Sequence, residues 1–331
     1  MMDGTLRWER DIRARSDAHS ASSLGIIFDE RFLLHDTGAH LENPRRLKTV
    51  MDLLSDGGLL DNVDMIKPRP ATLDEIVGVH PEDHIEKVRI HCERQVALDE
   101  DTVVGRDSFE VALLAAGAAM RGVDAVLSDR VESIFCLVRP PGHHAESRRS
   151  MGYCLFNNVA VAAHHALTRH SLERVMVLDW DAHHGNGTQE IFYDDPRVLV
   201  CSLHQFPDYP GSGDRCERGE GRGLDFTVNV PLEAGSGVDE YLMAFDEIID
   251  PACRAFEPEL IIVSAGQDAH REDPLTDMQL HARDFGVLAT RVKDWARRYC
   301  GGRSVFVLEG GYRPGALATS VLEILKSLAD T

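Results

Sequence analysis

Five short apolar runs, each followed at once by a polar or glycine-rich segment, constrain the fold of this chain more than any other feature. They lie at residues 133–142, 174–181, 197–204, 259–266 and 304–311. Each run is apolar almost throughout, which is typical of strands buried on both faces of a parallel sheet. A sixth strand is predicted at residues 23–30, near the start of the chain.

Helical patterns alternate with these strands. Apolar residues at helical spacing predict helices at residues 44–58, 81–95, 108–127, 157–170 and 238–256. Asn157 or Asn158 is the expected N-cap of the fourth helix, and Pro251 should kink or split the fifth. The alternation predicts one doubly wound α/β domain over residues 24–331, preceded by a polar tail at residues 1–23.

Composition excludes several classes of protein. The 55 acidic and 35 basic side chains give a net charge of −20. This charge argues against a nucleic-acid partner, because binding to phosphates needs a basic surface, and it is compatible with cationic partners.

No apolar run approaches the ~18 residues of a membrane span. The seven cysteines are scattered singly without a CxxC pair, which indicates a reducing, cytoplasmic compartment. The oligomeric state is left open, and a homo-oligomer is compatible with the sequence.

The segments that follow the strands carry residues able to bind a metal. In open parallel sheets, ligands bind outside the carboxyl ends of the strands. Asp181 and His183 follow the second of the five runs closely, and Asp268 follows the fourth. A catalytic zinc ion needs about three such carboxylate or imidazole ligands and one open position. These residues are candidate zinc ligands, with His270 as a spare, whereas the histidines at 164–165 fall inside a helix and are expected to pack or to face solvent.

Two further segments supply candidate acid–base and oxyanion groups. A rigid Pro-Pro-Gly turn at residues 140–142 presents His143 and His144, a pair suited to proton transfer. Gly310 allows the backbone to approach a ligand closely. Tyr312 follows it, and a phenol can stabilise a developing oxyanion. Together with the metal ligands, these groups predict metal-assisted hydrolysis of an amide.

Six motifs, taken in chain order, resemble the histone deacetylase superfamily, and within it the bacterial class II-like amidohydrolases and acetylpolyamine amidohydrolases. The motifs are "RPPGHHAE" (139–146), "GYCLFNN" (152–158), "DWDAHHGNGTQ" (179–189), "SLHQ…YPGSG" (202–213), "QDAHREDPL" (267–275) and "EGGY" (309–312). The resemblance covers roughly residues 24–325. It implies an arginase-like, three-layer α/β fold with a zinc site at the strand ends.

The resemblance also implies a role for each matched residue. One zinc ion per chain would be bound by Asp181, His183 and Asp268. The catalytic residues would be His144 as general base and acid, His143 as its electrostatic partner, Asp179 orienting His143, and Tyr312 as oxyanion donor. Substrate would contact Gly152, Tyr153, Tyr209, Leu275, Gly310 and, at the rim, Asp101. Structural potassium would be bound, mostly through main-chain carbonyls, at Asp179, Asp181, His183, Ser202 and Leu203, and at Phe192, Asp195 and Val198.

Departures from the family pattern refine the function. Asn186 stands where class I enzymes have an aspartate, so the pKa of His144 should be low because no neighbouring anion favours the imidazolium. Leu275 stands where a polyamine-selective relative has a glutamate, which disfavours a cationic substrate. Leu41 replaces a proline in "HLENPRRL" (40–47). The favoured substrate is an acyl-lysine, with acetylpolyamines and small acylated metabolites as alternatives.

Two other functions remain as alternatives. Binuclear manganese ureohydrolases share the fold, but they have an aspartate where this chain has Gly185, so a single metal ion is favoured. A non-catalytic acyl-lysine binding module would be expected to have lost a ligand, a histidine or the tyrosine. This chain retains all of them.

Overall fold

The computed structural model describes residues 23–329 of the chain. Its strands are β1 (Leu24–Ile27), β2 (Asp64–Ile66), β3 (Ser133–Cys136), β4 (Val175–Asp179), β5 (Val198–Gln205), β6 (Thr227–Leu232), β7 (Leu260–Ala265) and β8 (Ser304–Leu308). They form one sheet in the order β2-β1-β3-β8-β7-β4-β5-β6, and every neighbouring pair is parallel. This confirms the predicted α/β fold. The predicted polar tail lies outside the described residues, apart from Ser23.

Helices connect the strands and cover the sheet. They are α1 (Arg45–Asp56), α2 (Leu73–Val77), α3 (Glu82–Arg94), α4 (Ser108–Leu127), α5 (Asn158–Arg169), α6 (Asn186–Phe192), α7 (Val238–Ala244), α8 (Asp250–Phe256), α9 (Ala282–Tyr299) and α10 (Pro314–Ala329). Within the part of the chain that the structure describes, no helix has both the length and the apolar character needed to cross a bilayer.

Two local predictions about these helices are confirmed. The side chain of Asn157 caps α5 by accepting a hydrogen bond from the backbone N–H of Ala160 at 2.9 Å. The predicted helix around Pro251 is divided into α7 and α8 by a π-helical turn at Phe245–Ile249. Pro251 then lies in the first turn of α8, directly after the π-helical turn.

The two strands that the sequence pattern did not predict are the two edges of the sheet. The interior strands are buried at every residue, which explains their continuous apolar runs. β2 has only three residues. β6 is partly exposed at Val228 and at Pro231, which cannot donate to a further strand. Edge strands are short and interrupted, so their sequence signal is weak.

The order of the strands places the candidate site. β3, β8, β7 and β4 are neighbours at the centre of the sheet. The chain continues outward from β4 to β5 and β6 on one side, and β1 and β2 lie on the other. The segments after the four central strands therefore meet at the carboxyl ends of the strands, beside the place where the order of the strands reverses.

Candidate active site

Three buried side chains converge at this edge. Asp181 lies two residues after β4, His183 lies two residues further, and Asp268 follows β7. Nδ1 of His183 is 2.9 Å from Oδ2 of Asp268 and 3.1 Å from Oδ1 of Asp181. The three ligand atoms all lie within 4.8 Å of one another. The structure thus brings together the three residues predicted to bind zinc.

The surroundings of this cluster fit a dication. Backbone N–H groups hold the carboxylates: Gly310 donates to Oδ2 of Asp181 at 2.8 Å, and Ala182 donates to Oδ1 of Asp268 at 2.8 Å. Burial and the neighbouring charge of Asp181 raise the pKa of Asp268 to about 7. Two carboxylates packed this closely need a shared proton or a cation. A Cβ at Gly266 or Gly310 would collide with these carboxylates, so glycine preserves the space around them.

His143 and Asp179 form a buried ion pair next to the cluster. Nδ1 of His143 donates to Oδ2 of Asp179 at 2.9 Å, and its Nε2 lies 3.8 Å from Oδ1 of Asp181. Burial alone would lower the pKa of His143, but the two aspartates outweigh it and raise the pKa to about 10. The carboxylate of Asp179 therefore favours the imidazolium form of His143. A side chain at Gly185 would collide with Asp179, which accounts for glycine at the position where ureohydrolases have their extra aspartate.

His144 is held in one tautomer by a relay of side chains. Its Nδ1 lies 2.8 Å from Oδ1 of Asn186, whose Nδ2 donates to Oε1 of Glu146 at 3.0 Å. A carboxylate only accepts, so Asn186 presents its amide nitrogen to Glu146 and its oxygen to His144. Nδ1 of His144 must then carry the proton, which leaves the lone pair on Nε2. Burial, and then the charge of His143, lower the pKa of His144 well below its ordinary value. The direction agrees with the sequence prediction, but burial is the main cause.

Tyr312 is fixed from two sides. Its backbone N–H donates to Oδ2 of Asp273 at 2.6 Å, and the guanidinium of Arg46 lies over its ring, 4.9 Å from the centroid. The ring also contacts Tyr153 edge-on at 5.5 Å. Burial raises the pKa of Tyr312 well above its ordinary value, so the hydroxyl keeps its proton and can donate it in a hydrogen bond.

A narrow cleft of about 200 Å³ leads to these groups. Its walls are formed by Asp101, His144, Gly152, Tyr153, His183, Asp208, Tyr209, Leu275 and Tyr312. The rings of Tyr153 and Tyr209 both line the cleft. The ring of Tyr209 meets His144 edge-on at 5.0 Å. Gly152 has φ +55°, and a Cβ there would strike the ring of His144. Of the residues predicted to contact substrate, the cleft brings together all except Gly310, whose N–H is directed to Asp181. The cleft also contains Asp208, which the sequence pattern did not predict.

Sequence analysis also missed a set of buried charges behind the site. Glu42 accepts a hydrogen bond from Nη2 of Arg139 at 2.7 Å and one from Nη1 of Arg46 at 3.1 Å. Glu309 accepts hydrogen bonds from the backbone N–H groups of Gly142 and His143, at 2.6 and 3.1 Å. Only the four-residue spacing of Glu42 and Arg46 gave a local signal for a pair.

Two further histidines near the metal ligands in sequence lie outside the cleft. His184 is buried and hydrogen-bonds Ser212 at 2.9 Å and Gln189 at 3.1 Å, which is a structural role. The spare ligand His270 uses its Nδ1 to accept the backbone N–H of Glu272 at 3.1 Å, away from the cluster.

The positions predicted for potassium fall in two places. Asp179 pairs with Ser202 where β4 and β5 run side by side, and Leu203 follows in β5. Phe192 is the last residue of α6, and Asp195 lies in the turn between α6 and β5. Their carbonyls accept the N–H groups of Asp195 and Val198 at 3.1 and 3.3 Å. Potassium binding stays a prediction at both places.

Comparisons with known proteins agree with this geometry. The sequence profile of the histone deacetylase domain matches residues 40–328. A probable deacetylase from Archaeoglobus fulgidus is 42% identical over 92% of this chain and 86% of its own length. A histone deacetylase-like amidohydrolase from Pseudomonas aeruginosa is 41% identical over 92% of this chain and 85% of its own length. The crystal structure of the HDA15 HD domain superposes with a TM-score of 0.88 at 36% identity, covering 93% of this chain and 90% of that one. The chain belongs to the histone deacetylase family.

Proposed function

We propose that this protein is a zinc-dependent amidohydrolase that removes acetyl or related acyl groups from an N-acylated primary amine, with acyl-lysine as the favoured substrate. One observation carries the proposal. Three buried ligands, Asp181, His183 and Asp268, lie at the base of a narrow cleft that also holds His144 and Tyr312. The relatives named a probable deacetylase and a histone deacetylase-like amidohydrolase support the same reaction class.

Each side chain around the cleft has a distinct task in amide hydrolysis. A zinc ion held by the three ligands would supply Lewis-acid activation of water and of the scissile carbonyl. His144, neutral and with its Nε2 lone pair free, takes a proton from the attacking water and passes it to the leaving amine. The charged His143 lies against it, with ring centroids 3.9 Å apart, and balances the developing negative charge. Tyr312 donates its hydroxyl hydrogen to the oxyanion, a contact that is strongest in the transition state.

The shape of the cleft bears on the substrate. A volume of about 200 Å³ between aromatic walls fits an extended alkyl chain that carries an acylamide at its end. Leu275 forms part of the wall, and an apolar side chain there does not select a cationic chain. Acetylpolyamines are the second candidate, because the carboxylates of Asp101 and Asp208 both line the cleft and would attract a distal ammonium group.

Two measurements test the proposed reaction. The first compares kcat/KM across acetyl-lysine peptides, acetylpolyamines and longer acyl-lysines with the zinc-loaded enzyme. The second compares Tyr312→Phe with the matched control Tyr153→Phe in the same cleft. Tyr312→Phe should lose about 100-fold or more in kcat with zinc content and melting temperature unchanged, since one oxyanion donor is worth about that much. Near-normal turnover by Tyr312→Phe would contradict the mechanism. Absence of turnover on every substrate class would favour a binding module.

A separate comparison tests the roles of the histidines. His144→Ala should be more severe than His143→Ala, because it removes the proton carrier, whereas the other change removes only an electrostatic partner. The reverse order in kcat would exchange the two roles.

A further inference from the structure

A second group of side chains able to bind a metal lies at the other end of the strands, near their amino-terminal residues. Asp124 is in the last turn of α4, His165 is in α5, and His170 follows the end of α5. These helix ends precede the first residues of β3 and β4, whereas the candidate active site follows the last residues of the central strands. The two places are separated by at least the length of a five-residue strand, about 16 Å.

The geometry of this second group matches that of the first. Nε2 of His165 and Nε2 of His170 each lie 2.8 Å from the same atom, Oδ1 of Asp124. In the candidate active site, Nδ1 of His183 lies 2.9 and 3.1 Å from its two carboxylate partners. In both groups, the ligand atoms lie within 4.8 Å of one another. His165 is buried, and the other two residues are half-buried.

The surroundings leave room for a metal ion to complete its coordination. Asp124, His165 and His170 line one open cavity of about 790 Å³, so water can occupy the remaining positions. The other oxygen of Asp124, Oδ2, is 3.8 Å from Nη1 of Arg121, which leaves Oδ1 to the two imidazoles. Two imidazoles and one carboxylate suit zinc and the other late first-row divalent ions, which bind nitrogen and oxygen donors together.

We propose that Asp124, His165 and His170 form a second divalent-metal site of the zinc class, which ties the end of α4 to the end of α5. In the metal-free protein, each Nε2 hydrogen is donated to the carboxylate. On metal binding, each neutral imidazole carries its single hydrogen on Nδ1 instead of Nε2, so the Nε2 lone pair faces the metal and no proton is released. The sequence pattern predicts only a packing or surface role for His165, because this residue falls inside a helix. Its partner Asp124 lies 41 positions earlier in the chain, so the pair leaves no local signal. The site lies far from the catalytic cleft, so its role is structural.

The test measures zinc stoichiometry in matched variants. The full-length protein is stripped with a chelator, then equilibrated at about 10 µM free Zn²⁺, well above the Kd of a typical protein zinc site. His165→Gln/His170→Gln retains an amide N–H that can donate to Asp124 but loses the imidazole lone pairs. His164→Gln is the control, since His164 lines the same cavity from the same helix. We expect the double variant to bind one zinc ion fewer than the wild type, with deacetylase activity retained, and His164→Gln to bind the wild-type number.

The outcome is readable whether or not the catalytic site binds zinc, because the prediction is a difference of one ion between matched proteins. Equal zinc content in the wild type and the double variant would overturn the proposal and leave a hydrogen-bonded Asp–His–His cluster. If the double variant fails to fold, the single His170→Gln variant replaces it. His170 is half-buried beyond the last turn of α5, and its loss should weaken the second zinc-binding step at least about tenfold. An unchanged affinity would likewise refute the site.

Discussion

Gly310 is the position where one added carbon tests the metal centre most directly. It follows β8, and its N–H holds Oδ2 of Asp181. A Cβ there would lie 2.5 Å from that oxygen and 2.7 Å from Cγ of Asp268. Oδ2 of Asp268 would be its nearest neighbour of all. Ordinary contacts begin near 3.4 Å, so Asp181 would have to move by about 0.9 Å and Asp268 by more. The backbone of Gly310 lies outside the left-handed region, so alanine is compatible with its conformation and the strain falls on the ligands.

The expected effect of Gly310→Ala follows from that displacement. Catalytic groups must be held within about 0.5 Å of their productive positions, and a 1 Å misplacement costs about 100-fold. We expect kcat/KM to fall about 100-fold and zinc affinity, measured by competition with a chelator, to fall at least about tenfold. Gly315→Ala is the matched control, because a Cβ there meets nothing within 4 Å. Wild-type zinc affinity and turnover in Gly310→Ala would show that Asp181 and Asp268 do not hold a catalytic metal.

Three further predictions concern the relay, the buried charges and the metal. Asn186→Asp places a carboxylate against Nδ1 of His144, so the pKa of His144 should rise. The acid limb of the pH profile of kcat/KM should then move to higher pH by about one unit or more. An acid limb at the wild-type pH would contradict the tautomer assigned to His144. Glu42 has its pKa lowered to about 2, because the charge and hydrogen bond of Arg139 and the charge of Arg46 outweigh its burial, which corresponds to about 3 kcal/mol of stability. That stability is present above pH 4.5 and is lost as the pH falls toward 2. In urea unfolding, Glu42→Gln should therefore have a lower free energy of unfolding than the wild type at pH 7, and the difference should shrink in acid. The control Glu100→Gln, at an exposed position, should differ little from the wild type at either pH. Chelation should abolish turnover and lower the melting temperature, and added Zn²⁺ should restore both; full activity after verified zinc removal would exclude a zinc-dependent reaction.

Some parts of the site could be predicted because their signals are local. Asp181 and His183 are two residues apart at the end of a buried strand, and a continuous apolar run identifies such a strand. Asp268 could be added because the carboxyl ends of parallel strands meet at one edge. The edge strands β2 and β6 could not be predicted, since one has three residues and the other contains Pro231. Their positions depend on pairing with β1 and β5, which leaves no periodic pattern in their own residues.

The buried charges were out of reach for a different reason. Glu42 and Arg139 are 97 positions apart, and neither residue type indicates burial. Glu146 is hydrogen-bonded to Asn186 from 40 positions away. Such contacts depend on side-chain rotamers that form only after the loops have been brought together by the sheet. Sequence motifs therefore identified the residues that line the candidate site, but not the charged side chains that hold them in place.

The location of the buried charges explains why this chain keeps them. Arg46 donates from Nε to the carbonyl of Gly311 at 2.7 Å and from Nη2 to the carbonyl of Glu309, so it fixes the segment that carries Tyr312. Glu42 joins Arg46 to Arg139, which immediately precedes the turn that presents the histidine pair. A well-packed apolar replacement of a buried ion network often stabilises a fold as well or better, so stability alone does not account for it. The network ties three separate loops together by directional hydrogen bonds, and apolar contacts would not fix their relative positions so closely. Glu42→Gln should therefore lower kcat/KM at pH 7 even under conditions where the variant is fully folded.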